Sequence, residues 1–398
     1  MKWSSAISTE ASLATAVQRN AAALRLHLGD AQPDLLIAFV SEHHSGAFER
    51  LPDMVSAELG ACLLIGCSAG GVIGGGKEVE QHAGLSMTAA VLPGVDLTPF
   101  QVEIEALPQA DAAAAWERLL GVSAAKDPNF LLLPDPFSFD PEAFVRGLDC
   151  AYPQSRKVGG LASGGRQPGS NALFLGPRVY RTGLVGVALT GDIRVDTIVA
   201  QGCRPIGQPM FITKSDDNVL WELDGQPAVK VLQDLYNRLP NADQELARQS
   251  LFLGIVMSEE QQEYHHGDFL IRNIMGMDTT RNALVIGARL RPNSVVQFHL
   301  RDAKTSADDL DHLLTSYAAG RPTASPQGAL LFSCLGRGVH LYGCADHDSD
   351  AFRRHLGDIP LGGFFCNGEI GPVHGTTFLH GYTSAFGLFS SRGAQLDR

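Results

Sequence analysis

Cys62-Leu63-Leu64-Ile65-Gly66-Cys67-Ser68-Ala69-Gly70-Gly71-Val72-Ile73-Gly74-Gly75-Gly76 runs from an apolar stretch of strand length into almost bare backbone. The four apolar residues from Cys62 fit a short interior strand, and the glycines after them admit positive φ and the close approach of a ligand or another backbone. The pattern recurs as Arg156-Lys157-Val158-Gly159-Gly160-Leu161-Ala162-Ser163-Gly164-Gly165. It recurs again as Ile359-Pro360-Leu361-Gly362-Gly363-Phe364-Phe365-Cys366-Asn367-Gly368-Glu369-Ile370-Gly371-Pro372. Three such loops in one chain suggest one shared site.

The same order of elements stands upstream of each loop. Leu35-Leu36-Ile37-Ala38-Phe39-Val40-Ser41 precedes a helical stretch at 48–59, Phe130-Leu131-Leu132-Leu133 precedes one at 141–150, and Ala329-Leu330-Leu331-Phe332-Ser333-Cys334 precedes one at 350–356. Strand patterns follow the loops at 84–92, 183–190 and 379–389. From first strand to loop the spacing runs 35 to 66, 130 to 159 and 329 to 362, roughly thirty residues each time, which marks an internal structural repeat. A shared packing solution explains the strands. It explains less well the many glycines after each second strand, where a turn needs only one or two.

With 398 residues and 44% hydrophobic content the chain exceeds one ordinary core, so two lobes are expected. Residues 9–28 form an amphipathic helix with Thr9 as its cap and Leu13, Val17, Leu24 and Leu28 on one face. A second lobe begins near 206, with strands at 208–213 and 219–223 and a helix opening at Pro227. Further strands are expected at 251–257, 269–274, 283–290 and 294–300, then a helix at 307–318 ended by Gly320. The fold class is α/β: two lobes of repeated strand-helix-strand units, with stacked mixed β-sheets flanked by helices.

A net charge of -12 without a basic patch argues against a nucleic-acid surface. The seven cysteines, at 62, 67, 150, 203, 334, 344 and 366, are scattered without a CxxC, which fits reduced thiols in a cytoplasm. Residues 1–5 lack an apolar leader core, and no run approaches the ~20 apolar residues of a membrane span. A soluble cytoplasmic protein is expected.

These residues resemble the FIST family, named for F-box and intracellular signal-transduction proteins, over nearly the whole chain after residue 30. Residues 35–205 look like its N-terminal domain, carried by Phe39-Val40-Ser41, Gly66-Cys67-Ser68-Ala69-Gly70-Gly71, Glu78 and Leu92-Pro93-Gly94. The C-terminal domain is cued by Glu222-Leu223-Asp224-Gly225-Gln226-Pro227-Ala228, Gly267-Asp268-Phe269-Leu270-Ile271-Arg272, Arg301-Asp302-Ala303 and the third glycine loop. The divisions expected are 1–29 for the N-terminal helix, 30–205 for a FIST N-like domain and 206–392 for a FIST C-like domain. The family often places an aromatic before the Gly-Glu-Ile step, where this chain has Cys366-Asn367, making any pocket wall there more polar. The resemblance implies a sensory domain that binds small ligands, amino acids among them, and signals to kinase, chemoreceptor or cyclase modules. None of these modules stands in the sequence, so a separate signalling protein is the expected partner.

Ser68, Ser163 and Asn367 beside free backbone N–H groups suit the carboxylate or polar end of a small ligand, and Glu369 suits an amino group. The candidate ligand-binding set is Gly66, Cys67, Ser68, Gly70, Gly71, Gly160, Ser163, Gly164, Phe365, Asn367, Gly368 and Glu369. Tight bends between packed layers are the competing explanation of the glycines. Gly66-Cys67-Ser68-Ala69-Gly70 also satisfies G-x-S-x-G, but a nucleophile elbow needs a helix directly after the serine, and Val72-Ile73-Gly74-Gly75-Gly76 is a poor helix start. Cys67 or Cys366 with a histidine is a thiol alternative, although a small cysteine beside glycine serves packing equally well. A hydrolase or acyltransferase using Cys67 and Ser68 is therefore the alternative to non-catalytic binding, and a protein-interaction scaffold is the third. The pairs His43-His44 and His265-His266 and the trio His340, His347 and His355 lack zinc-site spacing. Asp346, Asp348 and Asp350 alternate as in a calcium loop, but Ala351 and Phe352 replace its glycine context and leave a charged helix start. Neither a metal nor a cofactor is expected.

Overall fold

A computed structural model describes residues 1–259, 263–320 and 325–393. The chain divides into one unit of Met1–Val199, Asp311–Leu379 and Thr383–Arg398, and another of Ala200–Leu310 and His380–Tyr382. All three glycine loops belong to the first unit.

Each repeat in that unit is a parallel strand pair joined through a helix. Leu35–Ser41 pairs with Leu63–Ala69, Asn129–Pro134 with Lys157–Gly160, and Gly328–Cys334 with Leu361–Cys366. The joining helices are Leu51–Leu59, Pro141–Ala151 and His347–Leu356. The first strands are buried almost throughout, as expected of strands covered on both faces. An antiparallel strand, Leu85–Val91, Leu184–Gly191 or Ser384–Ser390, flanks the first strand of each pair.

One glycine in each second strand has the same steric reason. A Cβ on Gly66 would meet the carbonyl oxygen of Ala38 at 1.8 Å, one on Gly159 that of Leu132 at 1.9 Å, and one on Gly363 that of Leu331 at 1.9 Å. Each of those carbonyls belongs to the glycine's direct partner on the neighbouring strand. The close approach requires a residue without a side chain.

Past the second strand, the chain leaves its own sheet. Gly71–Gly74 of the first repeat pairs with Leu361–Cys366 of the third, and Leu173–Leu175 of the second pairs with Leu63–Ala69 of the first. Glu369–Val373 of the third pairs with Lys157–Gly160 of the second and closes the cycle. The result, among the described residues, is three six-stranded sheets around a common core that includes Phe39, Cys67, Leu131, Val158, Phe332 and Phe364. The helix Leu13–Leu28 packs with Leu51–Leu59 in a second core, and Ala113–Leu120 packs with Pro141–Ala151 in a third. The first of these helices starts from Ser12, whose side chain accepts from Thr15 N, rather than from Thr9, and the strand Lys2–Ser8 precedes it.

The second unit is a closed barrel. Its strands follow the order Cys203–Asp216, Val295–Arg301, Leu251–Val256, Phe269–Asp278, Ala283–Ile286 and Val219–Leu223, and the last pairs back onto the first. Alternation sends Leu253, Leu284, Val296, Phe298 and Leu300 into one core, which also receives Val229 and Leu235 of the helix Ala228–Arg238. The strands fall where the sequence placed them, although Cys203–Asp216 and Phe269–Asp278 run longer and Ala283–Ile286 ends earlier than expected; their closure into a barrel is the new feature. No helix among the described residues is long and apolar enough to cross a membrane.

Candidate functional site

The three glycine loops meet at the carboxyl ends of the parallel pairs, the end at which open α/β sheets usually present ligands. Ser163 ties them together: its hydroxyl accepts from Gly70 N at 2.8 Å and donates to the carbonyl of Phe365, while its N–H reaches Ser68 O at 3.1 Å. Leu161 N donates to Gly368 O at 2.9 Å, and Asn367 donates from its backbone to Leu161 O and from its side chain to Ala162 O, both at 3.3 Å. Gly71 pairs with Phe365 and Gly160 with Glu369 across sheet ladders, while Gly164 holds a positive φ of 87° against Ala69 O. Gly66 and Cys67 lie one step back, inside the strand. The structure thus gathers the expected residues into one knot whose polar groups largely bond to one another.

Ser68 Oγ lies 3.2 Å from Asn171 Oδ1 and accepts from Ala172 N at 3.1 Å. After Ser68 comes the rest of its strand and then Gly71–Gly74, another strand, where an elbow needs a helix. Burial pushes the Cys67 thiol well above its ordinary range, and burial together with Glu369 does the same to Cys366. Thiols held protonated are poor nucleophiles. Glu369 is fully buried and accepts from Thr383 N at 3.1 Å and Thr383 Oγ1 at 2.6 Å, with Cys366 Sγ at 3.4 Å. Burial raises its carboxyl to about 7.

A different arrangement forms where the hairpin of Gly71–Gly74 and Lys77–Glu80 docks on the segment leading into the helix His347–Leu356. Each side supplies acceptors for the other's donors. Asp346 accepts from Glu78 N and Lys77 Nζ, each at 2.7 Å; Glu80 Oε1 accepts from Val339 N at 2.9 Å. Glu78 Oε1 accepts from Ser349 N at 2.8 Å and Ser349 Oγ at 2.9 Å, capping the first turn of the helix from outside. Beneath, Arg337 Nε and Nη2 grip Asp348 at 2.9 and 3.1 Å, both side chains being buried, and Ser333, Ser384 and His347 also bond to Asp348. Burial alone would raise Asp348, but the guanidinium and these donors outweigh it and hold the carboxyl well below its usual range.

Beside this dock opens a cavity of about 920 Å³ whose lining includes Thr9, Glu78, Glu80, His82, Val339 and His340. Glu78 is 7% exposed, and among the described residues its Oε2 has no hydrogen-bond partner. Burial, with Asp348 adding its charge, pushes Glu78 up to about 8, and burial raises Glu80 as well. The cleft therefore offers two carboxyl groups and two imidazoles, chemistry suited to a donor-rich ligand. Glu78 stood in the sequence as part of the family resemblance. Glu80 and Arg337 carried no separate signal, because each becomes meaningful only through residues more than 250 or about ten positions away. The histidine trio separates: His340 lines the cleft, His347 stacks on Tyr342 with centroids 3.5 Å apart, and His355 faces Asp311 at 2.9 Å. Among the described residues no group of three or more metal-ligating side chains forms.

Comparison with known proteins places the chain in a family. Residues 34–226 match the FIST N domain and residues 228–372 the FIST C domain. The chain is 37% identical over 383 residues to Rv0628c of Mycobacterium tuberculosis, covering 96% of this chain and 98% of that protein. It is 34% identical over 368 residues to Mb0898c of Mycobacterium bovis, covering 92% of each. An F-box/LRR-repeat protein of Arabidopsis thaliana aligns at 26% identity over 189 residues, 42% of this chain and 34% of that one. Among solved structures, a cyanuric acid hydrolase from A. caulinodans spans 98% of this chain and 99% of its own at 8% identity, with a TM-score of 0.36, too low to inform function.

Proposed function

Because this chain belongs to the FIST family, whose domains are associated with sensory signal transduction, we propose that it is a sensory module that binds a small polar ligand in the acidic cleft and performs no chemistry on it. The observation that carries this is the buried Oε2 of Glu78, without a partner among the described residues, on a residue that lines a cavity. Buried polar atoms are nearly always paired, so one left open beside a cavity marks where a ligand's N–H belongs. A primary ammonium fits: it brings donors for both Glu78 and Glu80, and its charge favours the ionised carboxylate that burial opposes. Amino acids are the proposed class, with His82 and His340 offering ring N–H groups to the other end. A separate signalling protein would read the occupied state, and coupling requires only that the ligand prefer one of two conformations.

The test is thermal stability against a panel of amino acids and their amides, in wild type and in Glu80→Gln. A ligand at ~100 times its dissociation constant adds ~2.7 kcal/mol to a protein that binds it only when folded. A selective rise in Tm that Glu80→Gln abolishes supports the cleft. No rise with any amine, in protein shown by native mass spectrometry to carry nothing, overturns it.

A further inference from the structure

Arg301 ends the strand Val295–Arg301 in the barrel unit. Val296, Phe298 and Leu300 point into the barrel core, which places Gln297, His299 and Arg301 on the opposite face. Directly across the ladder is Cys203, and His299 sits across from Phe252; both partners belong to an apolar cluster with Val256, Phe269 and Ile271. Arg301 is 7% exposed, yet among the described residues its Nε and Nη2 have no hydrogen-bond partner. Those two atoms share one edge of the guanidinium, the edge that grips a carboxylate through two parallel bonds.

A buried cation whose hydrogens are unmet is among the least tolerable features of a folded chain. The acids nearest in sequence are committed elsewhere. Asp302 accepts from Arg204 Nε at 3.1 Å and from Thr305 N at 2.7 Å, and Asp309 accepts from His266 Nδ1 at 3.3 Å and from Gly202 N at 3.3 Å. The Tyr382 ring covers the flat face of the guanidinium, with 5.0 Å from Cζ to the centroid. That contact supplies a cation–π interaction to the face and leaves the edge unmet. Tyr382 itself holds a φ of 66°, uncommon for an aromatic residue, packs on Phe252 at 4.3 Å and donates its hydroxyl to Asn273. His299 brings no second charge, since burial pushes it down to about 4.

We infer that Arg301 anchors a binding site for a small monocarboxylate, gripped in bidentate fashion by Nε and Nη2 against a wall formed by Tyr382 and Phe252. One positive charge in an apolar setting matches a singly charged carboxylate with a short apolar body better than a phosphate dianion. The site stands apart from the acidic cleft in chemistry and in residues.

The probe is sodium butyrate, with sodium chloride and sodium phosphate at equal ionic strength as comparisons, on the full chain. Followed by ¹⁵N NMR, the Arg301 Nε–H signal, assigned by its loss in Arg301→Lys, should shift saturably with butyrate and not with chloride. Arg301→Lys keeps the charge but removes the fork, so butyrate should raise its Tm only at concentrations roughly tenfold or more above those needed by wild type. If Arg301→Lys does not fold, the titration of wild type by Tm against chloride still decides. Butyrate acting no differently from chloride, an equal response in Arg301→Lys, or tighter binding of phosphate would each overturn the inference. Butyrate carries no amino group, so its outcome is independent of the outcome in the acidic cleft.

Discussion

The glycine knot and the acidic cleft lie in the same unit, yet they treat their polar groups in opposite ways. At the knot, Ser163 satisfies Gly70, Phe365 and Ser68 within the chain, and Glu369 is taken up by Thr383 and Cys366. At the cleft, one oxygen of Glu78 caps a helix while the other has no partner among the described residues. Glycine density thus records how closely strands must approach, as the carbonyls of Ala38, Leu132 and Leu331 show. A buried polar atom left unpaired on a residue that lines a cavity is where a second molecule would belong.

The largest expected effect attacks the base of the cleft. Asp348→Asn leaves the buried Arg337 without its counter-charge and should destabilise the chain by ~3–5 kcal/mol in urea unfolding. A loss below ~1 kcal/mol would mean that the pair is not buried as described. Next, Gly159→Ala drives a methyl into Leu132 O and should cost ~3 kcal/mol; a neutral result would break the account of the repeats as close-packed pairs. Ser163→Ala removes the hydroxyl that joins Gly70 to Phe365, for which ~2 kcal/mol is expected if the knot is structural.

Both regions hold a carboxyl raised by burial, about 7 for Glu369 and about 8 for Glu78. Protonation then favours the folded chain. The stabilising contribution is whole below 4.5, the ordinary value, and is lost as pH rises through 7 and 8 respectively. Each group gives a slope of up to ~1.4 kcal/mol per pH unit inside its window. Stability measured from pH 4.5 to 8 should lose slope in Glu369→Gln up to about 7 and in Glu78→Gln up to about 8; unchanged slopes would remove the burial argument from both. Glu80→Gln should have the smallest effect, under ~1 kcal/mol on stability, because an amide oxygen still accepts from Val339 N. Its larger effect is expected on ligand binding.

Much of the scaffold was legible in the sequence. Apolar runs at 35–41, 130–133 and 329–334, each followed by a helix and a glycine-bearing strand, announce the three repeats. The cyclic exchange was not legible, because Gly71–Gly74 finds its partner at Leu361–Cys366, about 290 residues away, and local pattern carries no information on such pairing. For the same reason Val72 and Ile73 looked like part of a loop: flanking glycines hide a strand whose partner is distant. The aspartates at 346, 348 and 350 marked a helix start, but not their fates. Asp346 sits at the cap with φ 62°, Asp348 turns inward to Arg337, and Asp350 remains on the surface with Arg353. The helical turn separates them, so spacing alone assigns all three the same role.

The most direct test follows the carboxyl ¹³C signals of Glu78 and Glu369 through a pH titration with and without the amine that raises Tm. An ammonium in the cleft should pull Glu78 down from about 8 and leave Glu369 near 7. Movement of Glu369 with Glu78 unchanged would place the ligand at the glycine knot and contradict the account.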